Sequence, residues 1–316
     1  MAGRTVIGAG LAGLSLAKEL LERGIDARVI ETRRRLGGIS ATDPEAMSIV
    51  DEVSREVRVE TERTAVRVRG ELVAVSSDGV EGLRGCVVAT GFRVLTPAEL
   101  GIFGDRPSGV YPYHAVLDLL TEGLVPGRHV ALYGLNRYSV LLASKLLEHV
   151  IGVVVVDPSG PSKDDPELRV PDEVTVLRGR VERIRGRGRL SSVYVNGEAL
   201  GVDALVIAMF EPWNPFPEFP AVGHAAIDVY DPKVLMEASE LLADRLSCGC
   251  GRTVKVSVRG NLKVFPETLC GCLRRLLVMG RRGATATIEG RRYELKEGYA
   301  VIGVPGDAEL VEVVAG

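Results

Sequence analysis

The sequence predicts an α/β protein in which a strand, glycine turn, helix and strand recur as two nested units, followed by a small β-rich module carrying four cysteines. Three observations carry this. Thr5-Val6-Ile7 runs into Gly8-Ala9-Gly10-Leu11-Ala12-Gly13 and then into apolar residues at helical spacing. A second run of the same kind starts at residue 129, and beyond residue 246 the composition shifts to β-branched residues, glycine and cysteine. With 316 residues, 46% of them apolar, the chain can bury a large core in two or three domains.

The first unit reads as a Rossmann-like dinucleotide-binding fold. Gly8 permits the tight turn, Gly10 lets the backbone approach a pyrophosphate, Gly13 lets helix and strand pack closely, and Leu11 and Ala12 open a helix whose N–H groups face the phosphates. The strand Ala27-Arg28-Val29-Ile30 then delivers Glu31, at the distance of about 20 residues expected for a carboxylate that accepts from a ribose diol. Residues 43–55 read as a helix and 57–75 as alternating strands. Gly85-Cys86-Val87-Val88-Ala89-Thr90-Gly91 is a buried strand ending in a turn of small residues.

The second unit is His129-Val130-Ala131-Leu132-Tyr133, the turn Gly134-Leu135-Asn136-Arg137-Tyr138-Ser139, a helix to His149, and Val153 to Asp157. Only Gly134 survives of the three glycines, and the Asn136 side chain crowds the pyrophosphate approach. Asp157 holds the ribose position with no arginine after it, so NAD is favoured over NADP if a nicotinamide binds at Gly134, Asn136, Ser139 and Asp157. Weak NAD(H) binding, or none, is the expectation.

Glu31-Thr32-Arg33-Arg34-Arg35-Leu36-Gly37-Gly38 resembles the E-x5-GG extension of the FAD-binding, pyridine nucleotide-disulfide oxidoreductase-like family with two dinucleotide-binding domains. The resemblance covers residues 1 to about 246 and implies FAD in the first unit, with Thr32, Gly37, Gly38, Thr90 and Gly91 near it; Arg34 and Arg35 either line its adenine or pyrophosphate side or are solvated surface charges. It implies an FAD domain at 1–123 and 209–246 and an inserted NAD-type domain at 124–208, while the composition shift marks a separate module at 247–316 that the resemblance does not reach. Gly223-His224 stands where the family usually has Gly-Asp or Gly-Asn beside the flavin ring, so His224 is either a cofactor contact or a core histidine. Tyr113, His114 and His224 are the candidate proton-handling groups over a flavin. The chain further resembles compact FAD subunits of multi-subunit archaeal and bacterial amine or amino-acid dehydrogenases, which implies a partner dehydrogenase subunit or electron carrier. The alternatives are a free-standing NADH-dependent reductase and a non-catalytic assembly subunit that keeps FAD or an adenine nucleotide.

Disulfide reductases of this family use a close cysteine pair near the flavin, and none precedes residue 247; Cys86 stands alone in its strand. Cys248-Gly249-Cys250 and Cys270-Gly271-Cys272 form two C-x-C pairs that suit an iron–sulfur cluster or zinc, or close as disulfides. A net charge of −3 speaks against nucleic acid, and Arg178, Arg180, Arg183, Arg185, Arg187 and Arg189 read as a solvated hairpin region. No apolar run is long enough to span a bilayer, and no signal peptide is read at the start, so a cytoplasmic protein is expected. The absence of glutamine, with only four asparagines, points to a hot-living source. An oligomer is compatible with everything above.

Overall fold

The computed structural model describes residues 3–159, 168–249, 253–271, 274–304 and 310–316. The fully apolar runs form the central strands, as expected of parallel strands covered on both faces. Arg4–Ile7 pairs in parallel with Ala27–Ile30 on one side and Cys86–Val88 on the other, and Arg58–Glu60 extends the sheet beyond Ala27–Ile30. Its order is therefore Arg58–Glu60, Ala27–Ile30, Arg4–Ile7, Cys86–Val88. Helices α1 (Leu11–Glu22) and α2 (Pro44–Val53) follow the first and second of these strands in the chain. An antiparallel meander, Thr64–Val68, Glu71–Ser76 and Gly79–Gly82, leads into Cys86–Val88.

The chain divides into two units, one of residues 1–38, 45–91 and 212–316, the other of 39–44 and 92–211. The longer stretch of the second unit begins at residue 92. The reason is strand pairing. Val110–Pro112 joins Ala204–Ile207 as an edge strand of the second parallel sheet, and Phe103–Gly104 joins Val181–Arg185. Helix α3 (Tyr113–Thr121) follows the edge strand, and α4 (Arg137–Leu147) follows His129–Tyr133. That sheet runs Val110–Pro112, Ala204–Ile207, His129–Tyr133, Gly152–Asp157, Thr175–Arg178, all parallel.

The last helix, α5 (Pro232–Ser247), packs along α1, with Leu235, Ala238, Leu241 and Leu242 buried in a core shared with Leu14, Leu16, Ala17 and Leu20. The C-terminal strands form a five-stranded and a three-stranded sheet. Strand alternation explains how this module is seated, because successive side chains of one strand face opposite sides. Leu276 and Val278 of Arg275–Met279 enter the module's own core, whereas Leu277 and Met279 enter the core of α1 and α5. The expected separate module therefore shares the first unit. Arg275 adds a polar tie, donating to Glu240 Oε1 (3.0 Å) and Asp244 Oδ2 (3.1 Å), while Arg23 of α1 donates to Asp244 Oδ1 (2.6 Å). Among the described residues no helix is long and apolar enough to cross a membrane.

Candidate cofactor site

The site is built around the start of α1. Gly8 has φ +114°, and a Cβ there would lie 2.3 Å from the Ala89 carbonyl oxygen. A Cβ on Gly13 would lie 2.0 Å from the Gly8 carbonyl oxygen. Both glycines are thus demanded by the packing of turn, helix and strand. Gly10 differs. Its backbone is ordinary (φ −77°, ψ 176°), and a Cβ would find its nearest neighbour, the Gly37 carbonyl oxygen, only at 4.0 Å. Nothing within the protein requires glycine there, and no side chain caps the helix. An uncapped helix start behind a bare backbone is the cradle that a pyrophosphate needs, so these residues fit a dinucleotide.

The other expected residues gather at the same place. Gly37 N–H donates to the Ala9 carbonyl (2.9 Å), and Gly10 and Gly37 form a parallel bridge, so the Gly37-Gly38 turn lies against the first glycine turn. Glu31 accepts from Ala9 N–H through Oε2 (2.8 Å) and from Arg33 N–H through Oε1 (2.9 Å), which fixes the carboxylate at the end of its strand. Thr32 is exposed, and so are Arg34 and Arg35. Arg34 pairs at the surface with Glu62 (2.8 Å), an exposed pair of little energetic consequence.

Residues 220–222 add a short rung to the edge strand: Val88 N–H donates to the Pro220 carbonyl and Val222 N–H to the Val88 carbonyl. The chain then turns at Gly223 (φ +63°), where a Cβ would come 2.4 Å from the Ala12 side chain. Ser239 of α5 donates to the Ala12 carbonyl (3.0 Å), holding α1 from the other side. The Thr90 hydroxyl donates to the Trp213 carbonyl (2.7 Å), and Trp213 N–H donates to the Gly91 carbonyl (3.3 Å). Trp213, half exposed against the Thr90-Gly91 turn, and Ser239, a buried support beneath the start of α1, are residues that motif reading passed over. A serine at an apolar helix position was the available signal for Ser239.

The candidate proton-handling groups are held in internal contacts. His224 is buried, its Nε2 lies 2.7 Å from the Val229 carbonyl, and burial pulls its pKa down to about 4, so the ring is neutral at pH 7. Tyr113 is fully buried in the second unit. Its hydroxyl contacts Thr42 Oγ1 (2.9 Å) and donates to the Tyr138 carbonyl (3.2 Å), and burial holds the phenol far above its usual pKa. His114 is half buried, edge-on to the Tyr113 ring. Burial also raises the Cys86 thiol, which is free and unreactive in its strand.

Cys248 and Cys270 are in disulfide linkage. Their Sγ atoms lie 3.5 Å apart, beyond the roughly 2.05 Å of a bond, so they are not bonded to each other. Cys250 and Cys272 lie outside the described residues. Among the described residues no group of three or more His, Cys, Asp or Glu side chains is placed to hold a metal ion.

Residues 6–61 match the family of NAD(P)-binding Rossmann-like domains. No curated protein matches the chain in sequence. In structure the chain is similar to L-proline dehydrogenase from P. horikoshii, at 18% identity and a TM-score of 0.56, over 78% of this chain and only 55% of that one. It is similar to T. acidophilum thioredoxin reductase at 14% identity and TM-score 0.56, over 77% and 97% of the two chains. It is also similar to the flavoprotein disulfide reductase RclA from Escherichia coli at 17% identity and TM-score 0.57, over 91% and 81%. The chain shares the fold of these solved structures, and its residues 6–61 match an NAD(P)-binding Rossmann-like domain.

Proposed function

We propose that the chain is an FAD-dependent oxidoreductase, or the flavin subunit of one, that passes electrons between the flavin and NAD(H) or a partner carrier without a redox disulfide beside the flavin. The observation that carries this is Gly10, a glycine that no contact within the protein explains, at the uncapped start of α1. FAD supplies the electron-transfer chemistry when bound, and the protein supplies position and electrostatics. The N–H groups at the start of α1 would hold the pyrophosphate, Glu31 the ribose diol, and Gly37, Gly38, Thr90, Gly91 and Gly223 would bring backbone close to the cofactor. The first cysteine after Gly38 is Cys86, buried and free, which separates this chain from the disulfide reductases that share its fold. The likeness in fold to an L-proline dehydrogenase is in keeping with a dehydrogenase role.

A second reading, an assembly subunit in which the nucleotide is structural, is favoured by the internal hydrogen bonds of Tyr113 and His224. Reoxidation separates the two. Photoreduced FAD-loaded protein that returns rapidly to the oxidised spectrum with ferricyanide behaves as an electron-transfer protein, and one that ignores the acceptor supports a structural nucleotide. The linkage of Cys248 and Cys270 favours disulfides over zinc or an iron–sulfur cluster in the C-terminal module. Alkylation before reduction should then modify only Cys86 in the denatured protein. Stoichiometric zinc, or iron with labile sulfide, in anaerobically purified protein would restore the metal.

A further inference from the structure

We infer that the second dinucleotide-type turn of this chain, Gly134 to Ser139, takes no dinucleotide, because the side chains of Asn136 and Ser139 occupy the backbone donors a pyrophosphate would use. In this architecture a pyridine dinucleotide lies across the carboxyl ends of the parallel strands with its pyrophosphate on the helix start. His129–Tyr133 and α4 provide that frame. Gly134 keeps the role of the first glycine, with φ +117° and a would-be Cβ 2.6 Å from the Ala208 carbonyl oxygen. Asn136 departs from it.

Asn136 is the N-cap of α4. Its Oδ1 accepts from Ser139 N–H (3.0 Å), and Ser139 Oγ accepts from Asn136 N–H (2.9 Å), a reciprocal capping box. The Asn136 amide nitrogen donates to the Ala208 carbonyl (2.8 Å), so the carboxamide reaches from the helix start to the residue that follows strand Ala204–Ile207. Asn136, Tyr138 and Ser139 are all buried. Arg137, at the first helical position, places Nε 2.7 Å from the carboxylate of Asp43, itself 1% exposed, so its charge is compensated within the unit. Asp157 spends Oδ1 on the N–H of Ser159 (3.0 Å).

Helix α1 is the internal contrast. The same fold there presents a bare Gly10 and no side-chain cap, whereas α4 presents a buried carboxamide bonded on both sides. A phosphate entering at α4 would have to expel that carboxamide and leave the buried Ala208 carbonyl unpaired. The consequence, resting on the flavin reading, is that electrons enter or leave by a carrier that does not use this crevice, such as a partner protein.

Calorimetry with NADH and NADPH, each to about 1 mM, on protein whose FAD content has first been measured by absorbance, tests this. Wild type should give no saturable heat, and N136G/S139A should bind NADH at least roughly tenfold more tightly. Saturable binding of either dinucleotide to FAD-loaded wild type in the micromolar range would overturn the inference. Silence from both proteins, with the variant folded by circular dichroism, would overturn the assignment of the block to Asn136 and Ser139. Protein that refuses FAD and also ignores NADH would sink the flavin reading and uphold this one.

Discussion

Gly10→Ala separates what the protein needs from what its ligand needs. The added Cβ meets nothing closer than 4.0 Å and the backbone is already in an extended region open to alanine, so the fold itself should tolerate it. Alanine lowers the entropy of the unfolded chain by about 0.4–1 kcal/mol and is a slightly poorer N-cap than glycine, so the two effects nearly cancel. Bound FAD sees a different change, because the methyl group stands where its pyrophosphate must approach the helix start. Losing one or two charge-assisted bonds, at about 1.5–3 kcal/mol each, corresponds to at least a tenfold loss of affinity and up to roughly twenty-thousandfold. Thermal melts of the apoprotein and FAD titrations of both proteins give the two numbers. An unchanged melting temperature with weakened FAD binding is expected. FAD affinity within threefold of wild type would refute the reasoning.

Other substitutions act on the scaffold. Gly13→Ala drives a Cβ to 2.0 Å from the Gly8 carbonyl oxygen, so it should destabilise by roughly 1–3 kcal/mol or more and lower the melting temperature as well as FAD uptake. Asp43→Ala removes a carboxylate that is 1% exposed and pairs with Arg137, itself 29% exposed, with an expected cost of about 1–3 kcal/mol in denaturant unfolding; a change under about 0.5 kcal/mol would mean the pair is solvated in solution. Burial pulls the folded pKa of His224 down to about 4, against about 6.5 for a solvated histidine, so the unfolded chain binds its proton first as pH falls. Stability should therefore be intact above about pH 6.5 and decline between there and pH 4, by on the order of 3 kcal/mol from this group, and His224→Gln should flatten that part of the profile.

The parts of the site that are local in sequence were legible from it. Gly8 and Gly13, read as a tight turn and a close helix–strand contact, are positions where a Cβ would meet backbone, and Glu31 follows its strand. Long-range partners left no such mark. Val110–Pro112 is only three residues long, too short to show a period, so its pairing with Ala204–Ile207 could not be read. The expected helix at 43–55 is present as α2, but the strands expected over 57–75 divide between the parallel sheet and the meander. The crowding expected at Asn136 proves to be a bonded cap, visible only once Ala208 is placed beside it. The choice left open for His224 turns on the Val229 carbonyl, five residues on, which occupies its Nε2.

The most direct test of the flavin assignment uses the protein's sole tryptophan. Trp213 is 46% exposed and bonded to the Thr90-Gly91 turn, so FAD bound at the start of α1 should quench its fluorescence. Titrating FAD into apoprotein should quench that emission to saturation at one equivalent, with the same endpoint in the visible absorbance of bound flavin. Unquenched emission and free-flavin absorbance throughout the titration would contradict the account at its centre.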